Sequence, residues 1–509
     1  MEKFSTPELA AQWLRQRGAR RLHTDSRKVA AGDAFLAWPG ARHDGRRHVD
    51  ASLQRGAAAC LIEAEGFQQG LTTLSQSCAL YQGLKADCGP IAAAYYEHPT
   101  RQMDVVALTG TNGKTSCAWW LAQALAKLGQ RCAMVGTLGL GELVLAQDGT
   151  VRLNGMSTGL TTPDAVLFQG ALRDLLQAGV RSCVIEASSI GLAEGRLEGT
   201  QIRMALFTNF TQDHLDYHGD MDAYWQAKLS LFDWPGLDVA IVGLDDPKGP
   251  ELLQHLHRRV TPVRVITYGL HPQADVRADQ VRWQAGTRGA GDWGQSLQVI
   301  SQGQAIPMNI PWVGEHNVRN LLAVIAALSA LGHGLEGSCE ACRSLQPVPG
   351  RMQSINLPGA PLAVIDYAHT PDALMHALQA LRPLAEVRGG RLWCVFGCGG
   401  DRDRSKRPEM GKVAQTLADQ VVLTSDNPRQ EEPMSIVRDI RMGLVGSHDQ
   451  VSVQLDRAQA IAQALRQAQP ADVVLIAGKG HETYQEIGQE RHPYSDAEQV
   501  QLALRREAA

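Results

Sequence analysis

A chain of 509 residues is about three times the ~150 residues of one domain, so two to four domains are expected and a single core is excluded. With 44% hydrophobic and 20% charged residues it has the composition of a folded globular protein, which excludes disorder, collagen-like sequence and coiled coil. The formal charge of −4 gives no general attraction to phosphate backbones, so nucleic acid is not the expected partner.

In chain order, the opening MEKFSTPELAAQWLRQRG lacks the basic-then-apolar order of an export signal and reads as a short helix begun by Ser5 or Thr6 with Pro7 in its first turn. The longest weakly polar run, Leu321 to Gly332, is about twelve residues, short of the roughly 18 that a membrane span needs. A cytosolic protein without a membrane partner is expected. Its ten cysteines are then reduced, many of them small core residues. Cys339 and Cys342 form an isolated C-x-x-C with no second pair beside it, which is weak ground for zinc or redox chemistry.

Residues 1–98 mix short apolar runs, Ala34 to Ala37 and Ala57 to Ile62, with glycine and charged turns, as in a small α/β domain. From 99 to 348, four- to six-residue apolar runs alternate with helix-length amphipathic segments, the pattern of βαβ units and a mainly parallel sheet. Its strands are expected at Val105 to Leu108, Cys132 to Val135, Cys183 to Ile185, Ala205 to Thr208 and Val239 to Val242. Alternation at Val276, Val281, Trp283, Leu297 and Val299 predicts an antiparallel ribbon before a helix over Val318 to Leu331. The stretch Gln346-Pro347-Val348-Pro349-Gly350 marks the next boundary. Residues 349–509 alternate strands (Leu362 to Ile365, Leu392 to Phe396, Val421 to Leu423, Val473 to Ile476) with helices, as in a Rossmann-like doubly wound domain.

The strongest chemical signal is Gly110-Thr111-Asn112-Gly113-Lys114-Thr115-Ser116, between a strand and a helix. Glycines let backbone N–H groups close on phosphate oxygens, a helix N-terminus adds positive potential, Lys114 reaches terminal phosphates and Thr115 can ligate Mg²⁺. The central domain is thus P-loop ATPase-like, although Leu108 stands where the full phosphate-loop pattern has its first glycine. A glycine turn with an incidental lysine is the bland alternative, weakened because only ten of the 49 basic residues are lysines. No N-K-x-D guanine motif follows, which favours ATP over GTP.

G-T-N-G-K-T-S after a strand resembles the Mur ligase and folylpolyglutamate synthetase superfamily, whose members make amide bonds through acyl phosphates. Four more stretches extend the likeness in order along the chain: Asp25-Ser26-Arg27, Thr208 to Gly219, Asp366 to Pro371 and Asp426-Asn427-Pro428-Arg429. As a set they resemble the Mur ligases that add the third peptide residue to UDP-N-acetylmuramoyl-L-Ala-D-Glu. A folylpolyglutamate synthetase-like ligase would share the loop but not the separate N-terminal domain or the Asp426 to Arg429 motif. An inactive nucleotide-binding paralogue is the other alternative.

The resemblance implies a monomeric enzyme using ATP and Mg²⁺, with UDP-N-acetylmuramoyl-L-Ala-D-Glu and meso-diaminopimelate as substrates. It implies catalytic roles for Lys114, Lys228 and His214, and metal contacts from Thr115, Glu186, His214 and Lys228, the last as a CO₂-derived carbamate. From residue type alone Glu186 also reads as a helix cap, His214 as a core histidine and Lys228 as a solvated lysine, and His218 reads as structural. Asn317, Arg351 and Asp366 are implied ATP contacts. Ser26, the loop Ala41-Arg42-His43, Thr161, Thr162, Ser188, Glu194 and Arg196 are implied along the UDP-substrate path. Two departures from the family pattern fall there: Ile190 cannot hydrogen-bond, and Glu194 replaces a glutamine and must turn away from pyrophosphate or pair, with Arg196 as a possible partner. Arg402, Asp426, Asn427, Pro428, Arg429, Gly478 and Glu482 match the amino-acid pocket, and Asp-Asn-Pro-Arg is the family's diaminopimelate signature.

Overall fold

The computed structural model describes residues 2–40, 43–67, 76–146, 151–285, 293–312, 314–446 and 449–507. The chain builds three α/β domains and divides into two compact units, one of residues 1–277, 300–304 and 319–345, the other of residues 278–299, 305–318 and 346–509. Among the described residues no helix is long and apolar enough to cross a membrane. All ten cysteines are free thiols.

In the first unit, the N-terminal sheet has the order Glu2–Phe4, Cys78–Tyr81, Ala59–Glu63, Ala34–Ala37, Leu22–His23, every neighbour parallel. Its inner strands are buried on both faces, which is why Ala34 to Ala37 and Ala59 to Ile62 read as continuous apolar runs rather than alternating ones. The next sheet runs Arg264–Gly269, Val239–Gly243, Met204–Phe207, Asp104–Thr109, Ser182–Glu186, Cys132–Gly136, and ends in an antiparallel pair, Gly139–Leu145 and Val151–Met156. The five expected strands are present. The terminal hairpin leaves no clear pattern in the sequence, because Gly139, Gly141 and Gly155 dilute its apolar alternation.

The ribbon expected between 275 and 311 is present as strands Val276–Ala285, Trp293–Ser301 and Gln304–Ile310, followed by the helix Glu315–Ala330. In the second unit the C-terminal sheet has the order Gln353–Ile355, Leu362–Asp366, Val473–Ala477, Leu392–Phe396, Gln420–Leu423, Val451–Val453. All neighbours are parallel except the short first strand. Two apolar clusters cover its faces: Leu378, Leu381, Met410 and Ile440 belong to one, Ile461, Leu465, Val500 and Leu504 to the other, as a doubly wound fold requires.

Candidate active site

Open parallel sheets form ligand crevices where the carboxyl ends of adjacent strands release their loops. In the central sheet Leu108 is in register with Glu186, and Phe207 with Thr109, so the phosphate loop, Glu186 and the segment from Thr208 leave neighbouring strand ends. Gly110 has φ 143°, and a Cβ there would lie 1.9 Å from Thr208 Oγ1, so no side chain fits. The loop is fastened to that segment: Asn112 N donates to Asn209 Oδ1 (2.8 Å), Thr111 N to Asn209 O (2.8 Å) and Thr208 Oγ1 to Asn112 O (2.6 Å). Lys114, Thr115 and Ser116 then open the helix Lys114–Lys127.

Glu186 ends its strand only 1% exposed and accepts hydrogen bonds from Thr115 Oγ1 (2.8 Å), Thr137 N (2.9 Å) and Thr137 Oγ1 (3.3 Å). It caps no helix. That role falls to Ser188, whose Oγ accepts from Gly191 N at 3.0 Å at the start of Ser189–Ala193. A buried carboxylate touching a hydroxyl fits Mg²⁺, which is commonly held by one or two carboxylates and completed by substrate phosphates and water. Among the described residues no three His, Cys, Asp or Glu side chains converge as a ready-made metal site.

Lys114 Nζ donates to the carbonyls of Gly110 (2.7 Å) and Thr111 (2.9 Å). Lys228, on the helix Met221–Leu229, is buried, donates to Gly110 O and stands 4.3 Å above the Tyr224 ring. Burial, and then the charge of Lys114, holds its amine well below the ordinary lysine range. His214 adopts a left-handed backbone (φ 52°), with Nε2 3.4 Å from Asp213 Oδ2 and its ring edge-on to Tyr224. Its pKa is lowered, first by desolvation. Tyr224 therefore carries Lys228 and His214, and also His218, whose Nε2 lies 3.0 Å from Ser189 Oγ.

Several residues expected on the UDP-substrate path meet beside Glu186. Thr137 Oγ1 is 3.3 Å from Thr161 Oγ1, Thr162 Oγ1 is 2.9 Å from Ser188 Oγ, and Arg196 Nη1 donates to Thr162 O (3.0 Å). Glu194 turns to Lys85 Nζ (2.9 Å) and Tyr217 OH (2.6 Å), not to Arg196, which acts on it only through space. The Tyr217 hydrogen bond, and then that of Lys85, lowers its pKa. Ser26 is half-buried in a short turn capped by Asp25 and His43 is exposed, while Ala41 and Arg42 lie outside the described residues.

In the second unit the same logic of register recurs: Asp366 is opposite Ala477, which is opposite Phe396, which is opposite Leu423. The loops that follow carry Gly478 and Glu482, Arg402, and Asp426 to Arg429. A Cβ on Gly399 would meet Arg429 Nη1 at 3.0 Å and Arg402 Cγ at 3.6 Å, so both arginines flank this glycine. Asn427 Nδ2 donates to Glu482 Oε2 (2.9 Å), and buried Lys479 donates to both Asn427 Oδ1 (2.9 Å) and Glu482 Oε2 (2.8 Å). Gly478 has φ 118° with Asp426 Oδ2 2.5 Å from where a Cβ would be. Asp366 accepts from Met352 N (2.8 Å), its pKa raised by burial and opposed by Arg351, whose guanidinium lies 4.6 Å over the Tyr367 ring. Asn317 is buried on the helix Glu315–Ala330.

Family comparison covers three segments: Mur ligase family, catalytic domain, at 20–82; Mur ligase middle domain at 108–328; and Mur ligase, glutamate ligase domain, at 350–480. A UDP-N-acetylmuramoyl-L-alanyl-D-glutamate–2,6-diaminopimelate ligase of Acidovorax sp. (strain JS42) is 50% identical, covering 99% of this chain and 98% of its own. The chain belongs to the Mur ligase family. A second Mur ligase with the same description, from Janthinobacterium sp. (strain Marseille), is 46% identical over 99% of this chain and 98% of its own. A solved structure of a ligase so described aligns with TM-score 0.66 at 34% identity, covering 96% of each chain. Mur ligase family enzymes catalyse ATP-dependent amide-bond formation.

In each unit, further side chains brace these loops without any local signal in the sequence. Asn320 sits against the phosphate loop, its Oδ1 2.6 Å from where a Cβ on Gly113 would be. Arg407, fully buried, donates to Glu431 (2.9 and 2.8 Å), Asp439 (2.8 Å) and Gly399 O (3.1 Å), and Glu431 also accepts from Asp401 N (2.6 Å). Arg457 pairs with Asp496, both fully buried, and donates to Ser425 O (3.3 Å) and Ala477 O (2.9 Å), the residues just before Asp426 and Gly478. In sequence these arginines look like ordinary surface charges. Only their partners, 24 to 39 residues away along the chain, reveal them.

Proposed function

We propose that this Mur ligase adds meso-diaminopimelate to UDP-N-acetylmuramoyl-L-Ala-D-Glu in peptidoglycan precursor assembly, in the cytosol and as a monomer. The geometry that carries the reading is the phosphate loop flanked on one side by the buried Thr115–Glu186 pair and on the other by buried Lys228. The γ-phosphoryl group of ATP passes to the D-Glu side-chain carboxylate with loss of ADP. The amine of the incoming amino acid then attacks the acyl carbon, the C–N bond forms, phosphate leaves and the amine loses a proton.

Thr115 and Glu186 would hold Mg²⁺, which would supply charge neutralisation for the crowded oxyanions. Lys114 offsets the phosphate charge and, with Gly110, Thr111, Asn112, Gly113 and Ser116, positions the nucleotide. Arg351, Asp366 and Asn317, on the second unit, are candidate ATP contacts by the family pattern. Lys228 is suited to carbamylation because a neutral amine is the form that attacks CO₂: a C–N bond forms, the nitrogen releases a proton, and an anionic oxygen ligand replaces a cation. His214 lies at the same aromatic ring.

The N-terminal domain, 1–98, takes the UDP end through Ser26 and the loop 41–43, and the central domain, 99–348, takes pyrophosphate and peptide along Thr161, Thr162, Ser188 and Arg196. The C-terminal domain, 349–509, takes the amino acid: Glu482 and Asp426 suit ammonium groups, Arg402 and Arg429 suit carboxylates. The separate N-terminal domain and the likeness of nearly the whole chain to diaminopimelate ligases favour this reading over a folylpolyglutamate synthetase-like one. The test is phosphate release from ATP with UDP-N-acetylmuramoyl-L-Ala-D-Glu and a panel of amino acids. Release should require both substrates and be fastest with meso-diaminopimelate. Release that ignores the amino acid, or none at all, would overturn the reading, the latter in favour of a binding paralogue.

A further inference from the structure

Beyond the pocket residues, a single carboxylate stands behind Arg429. Glu486 lies on the strand Tyr484–Ile487 of a two-stranded hairpin whose other strand is Glu490–Pro493, and its cross-strand partner is Arg491. Glu486 Oε2 accepts from Arg429 Nε (2.9 Å), while Oε1 accepts from Arg491 Nε (2.9 Å) and lies 2.8 Å from its Nη2. The side chains of Glu486 and Arg429 are 19% and 22% exposed, so neither is in bulk water.

The same strand grips the whole Asp-Asn-Pro-Arg segment. Gln485 Nε2 donates to Asp426 O (2.7 Å), Glu486 N to Asn427 Oδ1 (2.9 Å), Arg429 N to Glu486 O (3.1 Å) and Gly488 N to Arg429 O (2.8 Å). These contacts hold Arg429 in a left-handed conformation, φ 51°, that a long side chain seldom adopts unaided.

Arginine has five N–H donors. Glu486 takes Nε, and Gly400 O takes one hydrogen of Nη1 (2.8 Å), which leaves hydrogens on both terminal nitrogens for a carboxylate to accept in pairs. Glu486 does not neutralise the site, because it is shared with Arg491 and the trio keeps one surplus positive charge. Burial pushes its carboxyl up, but Arg491 and Arg429 together hold it below the ordinary range.

We infer that Glu486 is a positioning residue for amino-acid selection: it fixes the Arg429 guanidinium by Nε and thereby presents the terminal Nη edge to the second carboxylate of the incoming amino acid. The inference rests on the proposed diaminopimelate reading and deepens it. Without Glu486 the guanidinium keeps its charge and its contact with Gly400 O but loses the Nε anchor that fixes its orientation. The loss falls on binding of the diacid rather than on phosphoryl chemistry.

The test compares wild type, Glu486→Ala, Glu486→Gln, Arg429→Ala and the double variant, each shown to be folded by its thermal melt. In Glu486→Ala the KM for meso-diaminopimelate should rise by about tenfold, the size of one lost charge-assisted hydrogen bond, with the KM for ATP and the UDP substrate unchanged. Glu486→Gln, which keeps an acceptor for Nε but not the charge, should rise less. In the Arg429→Ala background, removing Glu486 should add nothing, since the group it orients is gone. Failure of wild type to use diaminopimelate would sink the functional reading itself. A wild type that uses it, with Glu486→Ala unchanged, or with a lower KM because the carboxylate had been competing with substrate, would overturn this inference alone. So would full additivity with Arg429→Ala.

Discussion

Lys114 and Lys228 meet at one acceptor: each donates from Nζ to the carbonyl of Gly110, at 2.7 Å. Burial first, and then repulsion by the ammonium of Lys114, lowers the pKa of Lys228. A depressed lysine pKa means that the neutral, CO₂-reactive amine is populated at lower pH than in an exposed lysine. The fraction open to carbamylation should rise with pH up to the depressed value and change little above it. Lys228→Ala should be nearly inactive, with partial recovery in formate or acetate, whose carboxylate occupies the vacated anion site. An active enzyme whose Lys228 mass shows no CO₂ adduct under trapping conditions would refute the carbamate.

Lys114→Ala removes a charge from the loop but no packing. The helix Lys114–Lys127 is held by its buried face, Trp120, Leu121, Ala124 and Leu125. Ligation should therefore fall by two or more orders of magnitude, as expected when a charge facing the transition state is lost at about 1.4 kcal/mol per tenfold, while the thermal melt barely moves. Turnover near that of wild type would remove Lys114 from the phosphate chemistry.

Glu194 answers the like-charge problem that the sequence posed. It pairs with Lys85 and Tyr217, and its folded pKa lies below 4.5. The stabilisation it gives is fully present above the unfolded carboxylate value and is lost as pH falls through the folded one. Because Glu194 and Lys85 are 32% and 57% exposed, it should amount to less than about 1 kcal/mol. Glu194→Gln should leave the KM for the UDP substrate within about threefold, as suits a weak exposed pair, and slightly flatten stability against pH below 4.5. A large rise in KM would show that the carboxylate touches substrate.

Glu431 should show a larger acid effect. Its hydrogen bond to Arg407, first among several causes, holds its carboxyl down to about 2 from 4.5. The stability contributed is present above 4.5 and drains away as pH falls toward 2. Glu431→Ala leaves fully buried Arg407 with only Asp439 as a counter-charge and should cost about 3 kcal/mol in denaturant unfolding. It should also slow ligation, because Asp401, beside Arg402, loses the acceptor of its backbone N–H. Unchanged stability would show that Asp439 alone suffices.

What the sequence disclosed follows from where each signal is stored. Strands such as Leu392–Phe396 are buried on both faces, so burial writes itself into five consecutive apolar residues. The phosphate loop is legible because close backbone approach to Thr208 and Asn320 admits only glycine at two fixed spacings. Glu486, Asn320, Arg407 and Arg457 were not legible. Each acts through a partner far along the chain, 57 residues in the case of Glu486 and Arg429, and a lone polar or charged residue looks the same in sequence whether solvated or paired. The family motifs located Arg429, but nothing local told what aims it.

Arg429 should set the preference for meso-diaminopimelate over L-lysine, which matches it in chain length and both amines but lacks the second carboxylate. The terminal Nη edge can give that carboxylate two charge-assisted hydrogen bonds, each worth roughly 1.5–3 kcal/mol when lost. Lysine in the pocket forfeits those bonds, but it does not strand the guanidinium, because Glu486 and Gly400 O still hold it. The penalty of a wholly unpaired buried arginine is thus avoided, and discrimination comes from the missing bonds themselves. At about 1.4 kcal/mol per tenfold, wild type should favour the diacid by on the order of a hundredfold or more in kcat/KM. Arg429→Ala should lower kcat/KM for diaminopimelate by a similar order and leave lysine nearly unchanged, so that selectivity collapses without creating a good lysine enzyme. Arg402, on the other side of Gly399, is the remaining cation able to meet the acid. If Arg429→Ala kept the wild-type preference while Arg402→Ala abolished it, the second carboxylate would belong to Arg402 instead.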